Sequence, residues 1–149
     1  MKPLKNYLTL FFALTLFGLT SCGNSKKATD AKNEGVPKAI VVEDMEPYQK
    51  SASVTINSVL LKGDLLTLSV QYSGGCEEHE FKLVGSKHVE KTMPVKRGVK
   101  LYHDNKGDGC RELVEDILVF DIKDLGIAKQ EVVLMIDGYD HPISYKLLK

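Results

Sequence analysis

From residue 50 onward the chain repeatedly alternates apolar with polar side chains. A period of two residues is that of a β-strand with one buried face, because successive side chains of a strand point to opposite sides of the sheet. An edge strand at Lys38–Glu43 and a helical turn within Ile122–Lys129 fit the remaining pattern. The alternation predicts strands at Val54–Ile56, Leu66–Tyr72, His79–Leu83, Val99–His103, Leu118–Ile122, Val132–Ile136 and Ile143–Leu147.

Turn residues separate these segments, at Lys62–Asp64, Ser73–Gly75 and Asp137–Asp140. Short strands with turn signals between them are typical of an antiparallel sandwich. We therefore predict an all-β fold, a single antiparallel β-sandwich of about seven strands that is immunoglobulin-like. A small β-barrel is the alternative, because the number of strands alone does not separate the two architectures.

The N-terminal segment has the character of a signal peptide. Lys2 and Lys5 precede a mostly apolar run, Tyr7–Thr20. The run is shorter than the ~20 residues that a membrane-spanning helix needs, and small residues follow it, as at a cleavage site. Its end, Leu19-Thr20-Ser21-Cys22, resembles the lipobox of bacterial lipoproteins. The resemblance implies that residues 1–21 are removed and that Cys22 becomes the lipid-bearing first residue.

A polar stretch without aromatic residues, Gly23–Pro37, follows this cysteine. It cannot bury enough apolar surface to offset the entropy lost on ordering, so we predict a flexible tether. The predicted organisation is a cleaved signal peptide at 1–21, a lipidated cysteine and tether at 22–37, and one β-sandwich domain at 38–149. Gly23 stands where the enterobacterial sorting rule would place an aspartate, which by resemblance implies the outer membrane. No dense acidic run follows Cys22, which favours a periplasm-facing orientation.

The order of features along residues 52–148 resembles the C-terminal β-sandwich domain of NigD-like lipoproteins of Bacteroidetes. The resemblance implies a fold and a cell-envelope location and gives no mechanism. Members of that family carry an additional N-terminal barrel domain, which we do not expect in this chain, and the paired cysteines are a second departure. The matching elements are Leu61–Leu65 before an alternating strand, His79 with Phe81 and Leu83, Leu101 with His103, Asn105–Asp108, Val119–Ile122 and Tyr145–Leu147.

Besides Cys22 the chain has two cysteines, Cys76 and Cys110, and each lies near a histidine, His79 or His103. Both histidines lie at strand ends, so the two segments are predicted to converge at one edge of the sandwich. The first interpretation is a Cys76–Cys110 disulfide, because the compartment is oxidising and the cysteine count is even. Closing a loop of this length contributes about 3–4 kcal/mol in the chain-entropy model.

The second interpretation is a metal site formed by Cys76, His79, His103 and Cys110. Zinc accepts two thiolates and two imidazoles in a tetrahedral set, and copper uses the same soft ligands. The third is a pair of free thiols with a redox role, although no CxxC motif is present to lower a thiol pKa. We predict no cofactor other than the zinc or copper of the second interpretation.

Two further motifs are incomplete. His79-Glu80 begins like the zinc motif HExxH, but the second histidine is absent and the segment is a predicted strand. Asp104–Gly109 is similar to part of a calcium-binding loop, but Lys106 stands where an oxygen ligand is needed. We interpret Asp104–Gly109 as a hairpin turn. Tyr139 and His141 are candidate contact residues of another turn.

Composition narrows the function classes. With 20 Lys and Arg against 20 Asp and Glu, the formal net charge is +0 at pH 7, so we predict no nucleic-acid partner. The sequence contains no G-x-S-x-G elbow, phosphate loop or dinucleotide fingerprint. We predict a non-enzymatic, lipid-anchored envelope protein that binds an envelope protein or glycan, or supports a neighbouring complex. The alternatives are a metal-binding lipoprotein and, third, an envelope hydrolase.

Overall fold

The computed structural model describes residues 35–147, so the predicted signal peptide, Cys22 and most of the predicted tether lie outside the described residues. Two single 3₁₀ turns occur among the strands, at Glu46–Tyr48, which the sequence pattern did not indicate, and at Lys123–Leu125, within the predicted segment. No helix among these residues is long and apolar enough to cross a membrane. The strands are β1 (Ile40–Val42), β2 (Thr55–Lys62), β3 (Leu65–Gly74), β4 (Glu80–Glu90), β5 (Val95–Asp104), β6 (Glu112–Asp121), β7 (Glu131–Ile136) and β8 (Ile143–Lys146).

The strands form two sheets that do not close into a barrel. One sheet has five strands in the order β1-β4-β5-β7-β8, and the other has three in the order β2-β3-β6. Their inner faces share one hydrophobic core. The predicted β-sandwich is therefore confirmed, and the barrel alternative is not the observed fold.

The pairing within the larger sheet is mixed, which corrects the purely antiparallel prediction. Strands β1 and β4 run parallel, as do β5 and β7, whereas the other two pairs of this sheet and both pairs of the smaller sheet are antiparallel. Parallel neighbours cannot be joined by a tight hairpin and need a crossover. The chain supplies one by sending β6 to the opposite sheet between β5 and β7. The segment Asn105–Gly109 is consequently a connection between sheets, and our interpretation of it as a hairpin turn is wrong.

Alternating side chains of the central strands form the core. Leu66, Leu68 and Val70 of β3 are buried on one side, and Leu83, Leu101 and Leu134 are buried on the other, as their apolar parity predicts. Full burial of one such side chain contributes about 1.5–3 kcal/mol. The Tyr145 hydroxyl lies at the edge of this core and donates a 2.8 Å hydrogen bond to Asp64 Oδ1.

A short N-terminal segment joins the edges of the two sheets. The Asp121 amide of β6 donates to the Pro37 carbonyl, and the Ala39 amide donates to the Asp121 carbonyl. The same segment then continues as β1, which pairs with residues 84–86 of β4. This segment therefore bridges β6 of one sheet and β4 of the other.

Candidate functional site

The two predicted cysteine–histidine segments do converge, at one end of the sandwich. Strand β5 ends at Asp104, and the chain passes through Cys110 before β6 begins. In the ladder of β4 with β5, Phe81 lies opposite His103, and His79 immediately precedes β4. The register of one antiparallel pair therefore places both histidines at the same end of the larger sheet.

Cys76 and Cys110 are joined in a disulfide, with Cα atoms 5.9 Å apart. Cys76 follows β3 and Cys110 precedes β6, and these two strands pair along their whole lengths. The disulfide therefore connects the two chain segments that enter and leave the end of one hydrogen-bonded ladder. Because His79 follows Cys76 and His103 precedes Cys110 in sequence, the disulfide also holds the two histidine segments together.

Asp108 is the centre of the polar network at this end. Its Oδ2 accepts hydrogen bonds from the main-chain amides of Cys76 (3.0 Å) and Glu77 (3.1 Å). Its Oδ1 accepts from the Cys110 amide at 2.7 Å. These amide bonds, that of Cys110 foremost, hold the pKa of the Asp108 carboxyl well below its usual range. The carboxylate thus fixes the backbone on both sides of the disulfide.

A chain of side-chain contacts continues from Asp108 into the core. His79 Nε2 lies 3.2 Å from Asp108 Oδ2, and His79 Nδ1 lies 2.8 Å from His103 Nε2. His103 Nδ1 then lies 3.1 Å from the Ser53 carbonyl oxygen. The side chains of His79 and Asp108 are only 2% and 1% exposed, and His103 is 1% exposed.

The acceptors at the two ends of this chain determine its protons. The Ser53 carbonyl and the ionised Asp108 carboxylate only accept, so the ring nitrogens facing them, on His103 and His79, must each carry a hydrogen. The contact between the two rings needs one more proton. Three protons on two rings leave one positive charge, which faces the Asp108 carboxylate. Burial is the main cause that lowers the pKa of His103, which favours the neutral form of that ring.

Aromatic rings enclose the two imidazoles. Phe81 stacks on His103 with ring centroids 4.5 Å apart and planes 13° from parallel. Tyr72 lies against His79 at 4.8 Å. A Cβ atom on Gly74 would lie 2.4 Å from His79 Cε1, so only glycine leaves room for this ring. The cluster is closed on every described side.

The buried chain has the order of a catalytic relay but lacks a nucleophile. It ends on the Ser53 carbonyl rather than on a serine hydroxyl or a cysteine thiol. Ser51 is near, but its hydroxyl accepts the His103 main-chain amide at 2.9 Å. With all three ionisable side chains buried, a substrate has no path to them in this conformation. The arrangement therefore supports a structural role, in which the charged groups pair with each other and the neighbouring loops are held in place.

The predicted metal set is not assembled in this disulfide form. A zinc site of Cys76, His79, His103 and Cys110 needs two thiolates, whereas both sulfurs are bonded to each other. The ligand atoms that do lie within 4.8 Å of one another belong to Cys76, Asp108 and Cys110. Zinc or copper binding therefore stays a prediction for a reduced form, and the redox role of free thiols likewise requires reduction.

Lys106 forms ion pairs with two carboxylates at the calcium-like loop. Its ammonium lies 2.6 Å from Glu80 Oε2 and 3.1 Å from Asp104 Oδ2. Its main-chain amide also donates to Asp104 Oδ1, and its φ of 52° is the left-handed conformation of a tight turn. These bonds lower the pKa of Asp104 and of Glu80, and raise that of Lys106. The Lys106 ammonium thus places a positive charge beside the carboxylates of Glu80 and Asp104.

Sequence reasoning missed Asp108, which it treated as a turn residue. The available signal was its position two residues before Cys110, from which an aspartate side chain can reach the next main-chain amides. The contributions of Ser51 and Ser53 come from a loop about 50 residues upstream. No local pattern could place them here.

Two concavities lie outside this cluster. One, of about 520 Å³, is bounded by the 137–140 turn and includes Tyr139 and the Lys100–Asp137 ion pair, in which Nζ and Oδ2 are 2.9 Å apart. Tyr139 and His141 contact each other edge to face at 5.4 Å. The second, of about 400 Å³, lies beside β6 and is lined mainly by apolar residues.

No family model and no curated protein matches this chain. In fold it is similar to a NigD-like immunity protein from Bacteroides caccae, at 18% identity and a TM-score of 0.54, over 74% of this chain and 59% of that one. Weaker likenesses are to a protein of unknown function, DUF1344, from Bacteroides vulgatus (16% identity, TM-score 0.45, 74% of this chain and 56% of that one) and to a putative toxin-related protein from Parabacteroides distasonis (16%, 0.48, 75% and 59%). The chain thus spans less than two thirds of each of these proteins. The predicted distant resemblance to NigD-like proteins of Bacteroidetes is confirmed, as a likeness of fold.

Proposed function

We propose that this chain is a non-enzymatic protein of the bacterial cell envelope that presents a protein-binding β-sandwich at a membrane surface. In this proposal the lipid on Cys22 holds the domain at the outer membrane, facing the periplasm. Two or more acyl chains anchor a protein stably, because each buried CH₂ contributes ~0.8 kcal/mol. The domain then acts through its surface, by holding a partner close to the membrane.

The observation that carries this proposal is the exposed edge of β6. Leu113 and Ile117 on this edge strand are 64% and 60% exposed. Ile117 also lines the apolar concavity of about 400 Å³. Exposed apolar surface next to a groove is typical of a protein interface.

The buried cluster supports the non-enzymatic part of the proposal. Asp108, His79 and His103 form one chain of contacts, and their polar groups are consumed by hydrogen bonds within the fold. A hydrolase would require such a group to face a cleft. The cluster instead favours a rigid end of the sandwich, as a passive binding scaffold needs.

Anchoring is tested in cells of a Bacteroidetes host that produce the whole chain. The precursor is expected to incorporate labelled fatty acid and to fractionate with the outer membrane. A Cys22→Ser variant should do neither. Fatty-acid incorporation that persists in Cys22→Ser would refute the anchoring site.

Binding is tested by photo-crosslinking in the same cells. A photoreactive side chain replaces Ile117 in one strain and Leu60 in another, because Leu60 is similarly exposed (65%) but lies on β2, at the opposite edge of the same sheet. We expect a discrete crosslinked envelope protein from position 117 that is absent from position 60 and lost with Cys22→Ser. Identical products at both positions, or none at 117, would contradict a specific protein partner at this edge.

A further inference from the structure

We infer that the partner adds a strand to the free edge of β6, and that this strand alternates basic and apolar side chains. This inference rests on the proposed function and names the kind of partner. Recognition by strand addition uses main-chain hydrogen bonds for affinity and side-chain pockets for selectivity. Three features of β6 point to it: its backbone, the neighbouring groove and its charge.

Main-chain hydrogen bonds at its C-terminal end fix which backbone groups of β6 face outward. The Ile122 amide donates to the Asp64 carbonyl, toward β3, whereas the amide and carbonyl of Asp121 both bond the Pro37–Ala39 segment on the other side. Since these directions alternate along an antiparallel strand, every second residue before Asp121 also faces outward. The ladder of β3 with β6 has no register shift, so the alternation continues along the strand. The outward residues are Leu113, Glu115, Ile117 and Val119.

Among residues 35–147, only Lys38 pairs with this edge, opposite Asp121. Further along, the outward amide of Ile117 donates to the side chain of its neighbour, Asp116 Oδ1, at 2.7 Å. A carboxylate from the adjacent residue is a solvent-exposed substitute for a main-chain acceptor. An incoming strand can displace it and supply the carbonyl that the ladder lacks. Among residues 35–147, no main-chain group pairs with the outward amides from Leu113 to Val119.

The groove beside this edge offers a pocket for an apolar side chain. It is bounded by Phe81 of β4 on one side and by residues 117–120 of β6 on the other. Residues 35–37 close its end, where the chain already pairs with Asp121. A strand added next to the exposed part of β6 would continue the line of this existing pairing. Alternate side chains of that strand would point into the groove.

The charge of β6 selects a basic strand. Glu112, Glu115 and Asp116 lie on the strand, and Arg111 is the only basic residue between Cys110 and Asp121. Acidic side chains at an edge disfavour pairing with an identical edge, because like charges would face each other. A second copy of this chain is therefore a poor occupant. Glu112 and Asp116 lie on the core side of the sheet and Glu115 on its outer face. Alternate lysine or arginine side chains on the outer face of a partner strand would therefore face Glu115.

The test measures amide hydrogen exchange of the lipidated protein in detergent micelles with two synthetic probes. One is a capped ten-residue peptide of alternating lysine and valine, and the other replaces lysine by glutamate. We expect the basic peptide to slow exchange in Glu112–Asp121 about tenfold or more at saturation, since bonded strand amides exchange only after opening. The acidic peptide should have little effect. Added salt should weaken the protection.

Matched variants separate backbone from side-chain effects. Ile117→Pro removes one outward amide without removing a bond to β3, so it should abolish protection, whereas Ile117→Thr keeps the amide and should retain it. Leu60→Lys, on the other edge, should leave binding unchanged. A Glu115→Lys/Asp116→Lys variant keeps every amide and should reverse the preference toward the acidic peptide. This last variant keeps the test decisive if Ile117→Pro does not fold.

Several outcomes would overturn the inference. Equal protection by both peptides would show that charge does not select the strand. Without peptide, protection of the outward amides of Leu113, Glu115 and Val119 that disappears in Ile117→Pro would identify the chain's own N-terminal segment as the occupant. Dimerisation lost in the same variant would identify a second copy. No protection by either peptide, with crosslinking from position 117 intact, would reject strand addition while leaving the proposed function standing. Loss of both results would reject the proposed function as well.

Discussion

His79 and His103 lie with Nδ1 of the first ring 2.8 Å from Nε2 of the second, in a chain that begins at a carboxylate and ends at a backbone carbonyl. Two acceptors at the ends of four ring nitrogens require three protons in between. The fold therefore stabilises a single positive charge in its interior, opposite Asp108. This charge assignment is the basis of two of the predictions that follow.

The first prediction concerns the protons themselves. The acceptors at the two ends require hydrogen on His79 Nε2 and on His103 Nδ1, with one further proton between the two rings. Nitrogen-15 shifts and ring-proton correlations of the two histidines measure this directly. The exposed His88 of β4 serves as an internal reference. Absence of hydrogen from His79 Nε2 or from His103 Nδ1 would contradict the assignment.

The second prediction concerns acid. Burial lowers the pKa of His103 below its ordinary value of 6.5. Below pH 6.5 the His103 ring is therefore protonated in the unfolded chain while it stays neutral in the folded chain. The free energy of unfolding should therefore fall as pH decreases from 6.5. Because the pKa of Asp108 is also lowered, from 3.8, a second loss should begin as pH falls below about that ordinary value.

Urea unfolding between pH 7 and 3 measures both steps. His103→Gln cannot titrate and should flatten the first step, whereas His88→Gln, at an exposed position, should leave the slope unchanged. An identical slope in His103→Gln and the natural chain would show that the first step has another origin.

The third prediction concerns the disulfide. In a soluble Cys22→Ser form, a Cys76→Ala/Cys110→Ala variant should lose about 3–4 kcal/mol of unfolding free energy, because the unfolded chain gains the freedom of an open loop. The intact mass of the parent should lie about 2 Da below that of its reduced form. Equal unfolding free energies before and after the substitution would contradict a stabilising role.

The fourth prediction concerns Arg97, a buried cation of β5. Its guanidinium donates through Nη1 to the Ser86 carbonyl, its Nε has no partner among the described residues, and burial lowers its pKa. Within residues 35–147 no carboxylate forms an ion pair with it. Replacing a poorly compensated buried charge by an apolar chain of similar length is neutral or stabilising.

The melting temperature of Arg97→Met should accordingly stay the same or rise, with Lys96→Met as the neighbouring control on the opposite face. A fall of more than about 5 °C would mean that the guanidinium contributes stability that its described contacts do not account for.

The sequence predicts the strands better than their partners. The alternation of Leu66, Leu68 and Val70 is a local property, and it identifies both a strand and its buried face. The parallel pairing of β5 with β7 depends on where β6 goes, which no local period records. The same holds for the site, because nearby cysteines and histidines were visible whereas Asp108 became central only through the fold. Bonds from Ser53 to His103 join residues 50 positions apart.

The Pro37–Val42 segment also has a mechanical consequence. It is hydrogen-bonded first to β6 of one sheet and then to β4 of the other. A pull on the chain from its N-terminal side is therefore delivered to both sheets within a few residues. Because β1 lies parallel to β4, several hydrogen bonds along it share the load instead of opening one after another. The domain is built to resist extraction from the side on which its anchor is proposed.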